Sequence, residues 1–269
     1  MSEFIIPVLI LLATGAFAGI LAGLLGVGGG IILVPAFLLV FTQAGYGSPD
    51  VMQICLATSL STIIVTSLRS VLAHHRRGAV DWQILRAYAP GIAIGAVSGV
   101  LTVQALRTQT LQLVFAVLVV VIATYMAISR PHWRLGDRMP QGWKQAVISL
   151  CTGFVSVLLG IGGGSIGVPL MTLHGIPIHR AVATAAGFGI LIAAPSVATF
   201  LFVPAQNAPP FTVGSVNVAA FLVTIAMTMI TAPLGAALAH RTDAARLKRY
   251  FAIFLFLVAL NMARKVLMG

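Results

Sequence analysis

Two glycine-rich runs, at residues 26–30 and 160–164, contain the residues best suited to bind an anion. Each run lies in a twelve-residue stretch that ends in proline, and nine of the twelve paired positions are identical. Four glycines among five residues, with a proline soon after, disfavour a regular helix. In an apolar chain such a break exposes backbone polar groups, which are tolerated only where protein buries them or where they line a cavity.

The helices that restart after the breaks supply the anion-binding chemistry. The first four N–H groups of a helix have no partner within it, and the helix dipole adds partial positive charge there. We predict that the two restarting ends converge on one anion, and that a side chain at Gly29 or Gly163 blocks it while the protein still folds. The predicted backbone and hydroxyl ligands are Gly28, Gly29, Gly30, Gly162, Gly163, Gly164 and Ser165.

Polar side chains inside the apolar segments extend this candidate site. Thr58 and Ser59 belong to a cluster of hydroxyls, and Thr184 occupies the position that matches Thr58 in the second glycine-containing half. Helical Ser and Thr commonly bond back to their own carbonyls, so each has a structural alternative. Arg69 either faces the anion or extends its guanidinium to the membrane surface. All four residues are included among the predicted ligands.

Other kinds of chemistry find little support in the residues. No Asp or Glu lies within an apolar segment, so a carboxylate relay for protons or sodium is not visible. Cys55 and Cys151 are isolated, and no spacing of His, Cys or carboxylates predicts a metal site or a catalytic set. We expect no metal, no cofactor and no enzymatic activity. Asp81 and Asn217, which match across the duplication, are predicted helix N-caps.

The composition places these residues in a membrane protein. Of the 269 residues, 59% are hydrophobic and 8% are charged, whereas a soluble domain has about 25% charged residues. The net charge of +11 comes from Lys and Arg between the apolar runs, where cytoplasmic loops carry them. We therefore expect a lipid bilayer, and no nucleic acid, as the partner of this basic chain.

An internal duplication extends well beyond the glycine runs. Residues 57–58 match 183–184, and residues 78–81 match 214–217, in the same order along the chain. Coincidence in a chain rich in Gly and Ala explains one such match but not several in register. The sequence therefore consists of two homologous halves.

The segment lengths predict the architecture of each half. The halves are residues 1–130 and 142–269, joined by a cytoplasmic linker at 131–141. Each begins with an apolar stretch longer than the roughly 20 residues that cross a bilayer, and three ordinary stretches follow. We predict an all-α polytopic membrane protein in which a glycine-broken, re-entrant or hairpin-like first segment precedes three membrane helices. Gly95 and Gly99 are predicted to allow close helix packing.

The distribution of Lys and Arg predicts how the halves are oriented. If each broken segment makes one crossing, the two sides of the membrane hold 10 and 6 of the 16 Lys and Arg residues. If each broken segment turns back, the halves are inverted and the split becomes 13 to 3. Because cytoplasmic loops are enriched in these residues, we predict inverted repeats with both termini outside.

The duplicated glycine motif, Leu-Leu-Gly-x-Gly-Gly-Gly followed by Val-Pro, resembles the TauE/SafE sulfite exporter family, also called the 4-toluene sulfonate uptake permease family. The resemblance covers almost the whole chain, because the motif occurs at residues 24–35 and again at 158–169. It implies transport of sulfite, sulfoacetate or another organosulfonate across the bacterial inner membrane, driven by the proton motive force.

The leading functional hypothesis is a secondary transporter that moves a small anion by alternating access around the two breaks. An anion channel built on the same helix ends is the alternative, as is a permease for an organic anion without sulfur. The expected partners are a small anionic substrate, with proton coupling, and the bilayer. The oligomeric state is left open by the sequence.

Overall fold

The computed structural model describes residues 2–25, 29–129, 133–239 and 244–268, and within them the chain is mostly helical. The first half contains α1 (Ser2–Leu25), α2 (Gly30–Gln43), α3 (Val51–His75), α4 (Trp82–Ala105) and α5 (Thr108–Ile128). The second contains α6 (Trp143–Leu158), α7 (Gly164–Leu173), α8 (Ile178–Leu201), α9 (Val218–Ala239) and α10 (Ala244–Met268). The predicted order, a broken segment and then three helices, is confirmed in both halves.

One short element falls outside the predicted all-α class. Strands β1 (Thr212–Val213) and β2 (Val216–Asn217) pair as an antiparallel hairpin just before α9. Gly214 adopts the left-handed conformation, with φ of 60°, in the two-residue turn between the strands. Such a turn requires positive φ, which glycine adopts without steric cost.

Four helices in the described residues, namely α3, α4, α5 and α8, are long and apolar enough to cross a membrane by length and composition. The helices next to the breaks are shorter, at 14 residues for α2, 16 for α6 and 10 for α7. At about 1.5 Å per residue, α7 spans only about half of a bilayer core of roughly 30 Å. Each broken segment therefore contains a helix that is too short to cross such a core by itself.

Small residues hold the halves together through two equivalent pairs of helices. On α1, Gly15 and Gly19 lie against Thr224 and Thr228 of α9, and the Thr228 hydroxyl donates to the Gly15 carbonyl at 3.2 Å. On α4, Gly95 and Gly99 lie against the α6 backbone. The predicted role of these two glycines in close packing is confirmed.

The central pair, α3 and α8, joins the halves along the middle of the molecule. The N–H of Asn217, beyond the end of α8, donates to Thr58 Oγ1 near the start of α3 at 3.0 Å. The N–H of Asp81, beyond the end of α3, donates to Thr184 Oγ1 near the start of α8 at 2.9 Å. The two helices therefore run antiparallel. Residues 51–63, the first half of α3, are all buried.

The loops form two groups at opposite ends of this central pair. At one end, Thr108 N donates to the Pro49 carbonyl at 2.9 Å, and Gln206 N donates to Asp50 Oδ2 at 3.2 Å. At the other end, Leu135 of the linker donates its N–H to the α7 carbonyl of Leu173 at 2.7 Å. The linker thus lies on the same side as the loop that precedes α8.

Candidate anion site at the second glycine break

The end of α6 explains why the chain breaks where it does. Gly160 is left-handed, with φ of 59°, and its N–H donates to the Val157 carbonyl at 2.9 Å. The next N–H, that of Ile161, reaches back to the Ser156 carbonyl at 3.0 Å. This pair of bonds is the Schellman motif, which ends a helix at a glycine. A residue with a Cβ pays a steric cost in this conformation, so the glycine ends α6 here.

The start of α7 leaves a row of backbone donors unused. Helix α7 begins at Gly164. Its first helical hydrogen bond is donated by the Gly167 N–H to the Gly163 carbonyl at 2.7 Å. Within the described residues, the N–H groups of residues 162–166 have no hydrogen-bond acceptor. Residues 160–164 are all buried. Buried N–H groups without partners are rare in proteins, which makes this row a candidate ligand site.

Two hydroxyls without partners lie beside these donors. Ser165 Oγ is buried and makes no hydrogen bond. Ser67 of α3 is 7% exposed, and among the described residues its hydroxyl forms no hydrogen bond, although its oxygen, unlike that of Ser165, is not fully buried. Ser67 Oγ lies 4.0 Å from the position that a Cβ on Gly162 would occupy. The break therefore combines backbone donors with two free hydroxyls.

Ser67 was missed by the sequence analysis, although its spacing contains a signal. Ser59, Ile63 and Ser67 are separated by four residues each and share one face of α3. Ser59 Oγ donates to the Gly160 carbonyl at 2.8 Å, and Ile63 lies next to Gly162. The i, i+4, i+8 pattern that starts at the predicted residue Ser59 leads directly to Ser67.

The two breaks lie against each other where the structure describes them. A Cβ on Gly30 would overlap the Gly160 carbonyl oxygen and lie 3.0 Å from Ile161 Cα. Gly29 caps α2 in the left-handed conformation, with φ of 71°. Gly28 lies outside the described residues. The start of α2 at the first break therefore packs directly against Gly160 and Ile161 of the second break.

The expectation that a side chain at Gly163 blocks an anion while the protein still folds stays a prediction, but the structure shows a steric conflict at this position. A Cβ on Gly163 would overlap Phe188 Cβ and lie 2.7 Å from the Ala185 carbonyl oxygen. The glycine is needed because the break packs directly on the α8 backbone. At Gly29 the positive φ strains any other residue. Neither position offers empty space for a side chain.

Three other predicted ligands are not brought to the break. Thr58 and Thr184 are fully buried, and their hydroxyls accept the bonds from the Asn217 and Asp81 N–H groups at opposite ends of the α3–α8 pair. Arg69 is exposed and, two residues after Ser67, lies about 200° around the helix from it. As ligands these three remain predictions from the sequence alone.

The predicted N-caps are confirmed. Asp81 Oδ1 accepts from Gln83 N and Ile84 N at 3.1 Å each, at the start of α4. Asn217 Oδ1 accepts from Ala220 N at 2.9 Å, at the start of α9. Asp81 also pairs with Arg180 through its second oxygen at 3.1 Å.

No charged side chain belongs to the segments that surround the break. Residues 51–68, 145–173 and 181–203 contain no Lys, Arg, Asp or Glu. Among the residues that the structure describes, no group of three His, Cys, Asp or Glu side chains is placed to hold a metal. The electrostatic potential at the break therefore comes from peptide and hydroxyl dipoles.

Two recesses of about 510 Å³ each lie on the linker side of the molecule, away from the break. One lies between the linker and the first turns of α4 and α6, and is lined by residues such as Gln83, Arg138 and Gln145. Neither is lined by a residue of the break. Residues 160–164 are buried, whereas Ser165 and Ile166 at the start of α7 are partly exposed.

Comparison with known proteins gives a consistent result across the chain. The sulfite exporter TauE/SafE family profile matches residues 11–262. A probable membrane transporter protein of Haemophilus influenzae is 32% identical over 96% of this chain and 98% of its own length. Another, from Methanocaldococcus jannaschii, is 30% identical over 69% of each chain. A third, from Bacillus subtilis, is 28% identical over 65% of this chain and 71% of its own. No solved structure matches the sequence.

Proposed function

The chain belongs to the sulfite exporter TauE/SafE family of membrane transporters, and we propose that it moves a small sulfur-containing anion across the bacterial inner membrane. Sulfite, sulfoacetate and other organosulfonates are the candidate substrates. The observation that carries the proposal is the row of unused N–H groups at residues 162–166 with the free Ser165 hydroxyl. A helix start with free donors attracts negative charge.

The position of the break supports its role as the substrate site. Ile63 and Gly189, which lie beside Gly162, are close to the midpoints of α3 and α8. Inverted-repeat transporters bind substrate near the bilayer midplane, at the interface of the repeats, on discontinuous helices. This pattern favours the second break as the site, because α7 is short and Gly30 of the first break contacts Gly160.

Inverted halves are the second part of the proposal. Helix α3 corresponds to α8 in the duplication, and the contacts at Thr58 and Thr184 hold them antiparallel. Related halves whose equivalent helices point in opposite directions have opposite membrane orientations. The linker end, which contains Arg134, Arg138 and Lys144, is then cytoplasmic. Single-cysteine labelling from each side of intact vesicles tests this, and a C-terminus on the linker side would refute it.

Alternating access is the mechanism that we propose. A transporter site between two related halves opens to one side of the membrane at a time, whereas a channel needs a continuous path. Uptake into proteoliposomes against a substrate gradient, with an imposed pH gradient, separates the two functions. A transporter accumulates the anion above its external concentration. Passive equilibration alone would indicate a channel.

A serine pair tests the site itself. Ser165→Ala removes a free hydroxyl and should lower substrate affinity about tenfold or more, because a hydrogen bond to a charged group contributes about 1.5–3 kcal/mol. Ser61→Ala is the matched control, since the Ser61 hydroxyl is buried but bonds back to the Ala57 carbonyl at 2.9 Å. Equal affinities for the two variants would place the anion elsewhere.

A further inference from the structure

We infer that the site at the second break selects singly charged anions over doubly charged ones of the same size. The inference rests on the proposed function and narrows its substrate class. It predicts that hydrogensulfite and simple monosulfonates bind more tightly than sulfate, and more tightly than sulfoacetate, which has two charges. The selectivity follows from the neutral donors at the break and from the lack of Lys and Arg in the segments that surround it.

The donors at the break are all neutral. They are the N–H groups of residues 162–166 and the hydroxyls of Ser67 and Ser165. The segments around them contain no Lys or Arg. The nearest cation along α3, Arg69, is exposed and lies on a different face from Ser67. An anion bound here is stabilised by dipoles alone.

Ser67 is a side-chain feature that points to a ligand here, separate from the helix start. The residue is more than nine-tenths buried, forms no hydrogen bond among the described residues, and its oxygen lies against Gly189 and near Gly162. The residue that matches it in the other half, at the 126-residue spacing of Thr58 and Thr184, is Ala193. Ser67 packs on Gly189, and the match of Gly189 in the first half is Ile63, so the two helices differ in side chains at this contact. The site is therefore chemically asymmetric, with its side-chain donors at the second break.

The scaling of two energies with charge gives the selectivity. The free energy lost when an ion leaves water grows with the square of its charge, so a doubled charge costs about four times as much. The attraction of fixed dipoles grows only in proportion to charge, so it about doubles. Fixed cations, which transporters of multivalent anions use to close this gap, are missing from these segments. The balance therefore favours one negative charge.

Anions of equal size and different charge test the inference. Methanesulfonate and sulfamate each have one charge and sulfate has two, while all three are tetrahedral and similar in volume. Binding to the purified full-length protein in detergent is measured by isothermal titration calorimetry at pH 7. We expect both monoanions to bind at least tenfold more tightly than sulfate. If methanesulfonate and sulfamate bind with similar affinity, the preference over sulfate does not come from the methyl group.

Sulfite provides a second measurement within one molecule, because it changes from monoanion to dianion near neutral pH. Its affinity should fall between pH 6 and pH 8 in step with the monoanion fraction, while that of methanesulfonate stays within about twofold. Ser67→Ala should lower the affinity for methanesulfonate about tenfold, which is the loss expected for one hydrogen bond to a charged group. Ser61→Ala, the control with equal burial, should leave it unchanged.

The outcomes separate this inference from the proposed function. If no sulfur anion binds at all, the proposed function fails and the inference fails with it. If sulfate binds as tightly as sulfamate, the charge selectivity is wrong while anion transport stands. If Ser67→Ala binds methanesulfonate like Ser61→Ala, Ser67 is not a ligand. The wild-type anion series does not depend on any variant, so misfolding of Ser67→Ala leaves the main test intact.

Discussion

Replacing Thr58 with valine tests the structural role that the fold assigns to this threonine. Valine has nearly the same shape, so the substitution removes little except the hydroxyl that accepts the Asn217 N–H at 3.0 Å. Thr58 is fully buried and Asn217 is 3% exposed, so water cannot replace the lost acceptor. An unsatisfied buried donor costs about 1–3 kcal/mol.

The matching change at the other end of the α3–α8 pair should reduce stability by a smaller amount. Thr184→Val frees the N–H of Asp81, whose side chain is 20% exposed, so water can reach this end of the bond more easily. Thr62→Val is the control on α3, because the Thr62 hydroxyl bonds back within its own helix to the Ser59 carbonyl at 2.7 Å. We expect the loss of stability to decrease from Thr58→Val through Thr184→Val to Thr62→Val.

Apparent melting temperature in detergent is the readout, followed by size-exclusion chromatography after heating. On the scale of soluble domains of 150–250 residues, 1 kcal/mol shifts melting by about 2–4 °C, so Thr58→Val should melt about 2–12 °C below wild type. The double variant with Thr184→Val should be close to additive, since the sites are far apart. The reasoning fails if Thr58→Val and Thr62→Val melt alike. A stable Thr58→Val protein that no longer binds anions would instead support Thr58 as a ligand.

Three further predictions concern packing and charge. Gly163→Ala should destabilise the protein by about 1–3 kcal/mol through overpacking against α8. Gly47→Ala is the control and should not destabilise it, because its Cβ would meet its nearest atom at 3.8 Å. Equal melting temperatures for the two variants would contradict the close approach of Gly163 to α8. Gly95→Ala should lower the yield of monodisperse protein, because its Cβ would overlap the α6 backbone, and an unchanged elution profile would argue against this contact. Arg180→Gln should lower stability by less than about 1 kcal/mol, since Arg180 is 53% exposed in its pair with Asp81; a larger loss that persists in high salt would overturn that estimate.

Much of the fold could be predicted because its causes are local in the sequence. Glycines followed by proline break a helix wherever they occur, and the apolar runs have the length of membrane crossings. Asp81 and Asn217 act as N-caps because a short polar side chain at a helix start bonds to its own backbone. The duplication predicted the same order of elements in both halves, and the structure has that order.

The site residues could be predicted only in part, because hydrogen bonding depends on neighbours distant in sequence. Thr58 and Ser67 are both buried hydroxyls of α3, and nothing in their local sequence separates them. Thr58 meets the Asn217 N–H, 159 residues away, and is satisfied. Ser67 meets a glycine break that leaves its hydroxyl free.

The sequence by itself determined the membrane class, the two halves, the breaks and the caps, since each follows from composition, repetition or backbone preference along a few residues. Only the tertiary structure decided which glycines approach another backbone, which hydroxyls remain available at the break, and that Arg69 lies away from it. These properties depend on how α3, α6 and α8 pack together. Van der Waals overlap and hydrogen-bond geometry act over a few ångströms in space, whereas partners such as Thr58 and Asn217 lie 159 residues apart in the chain.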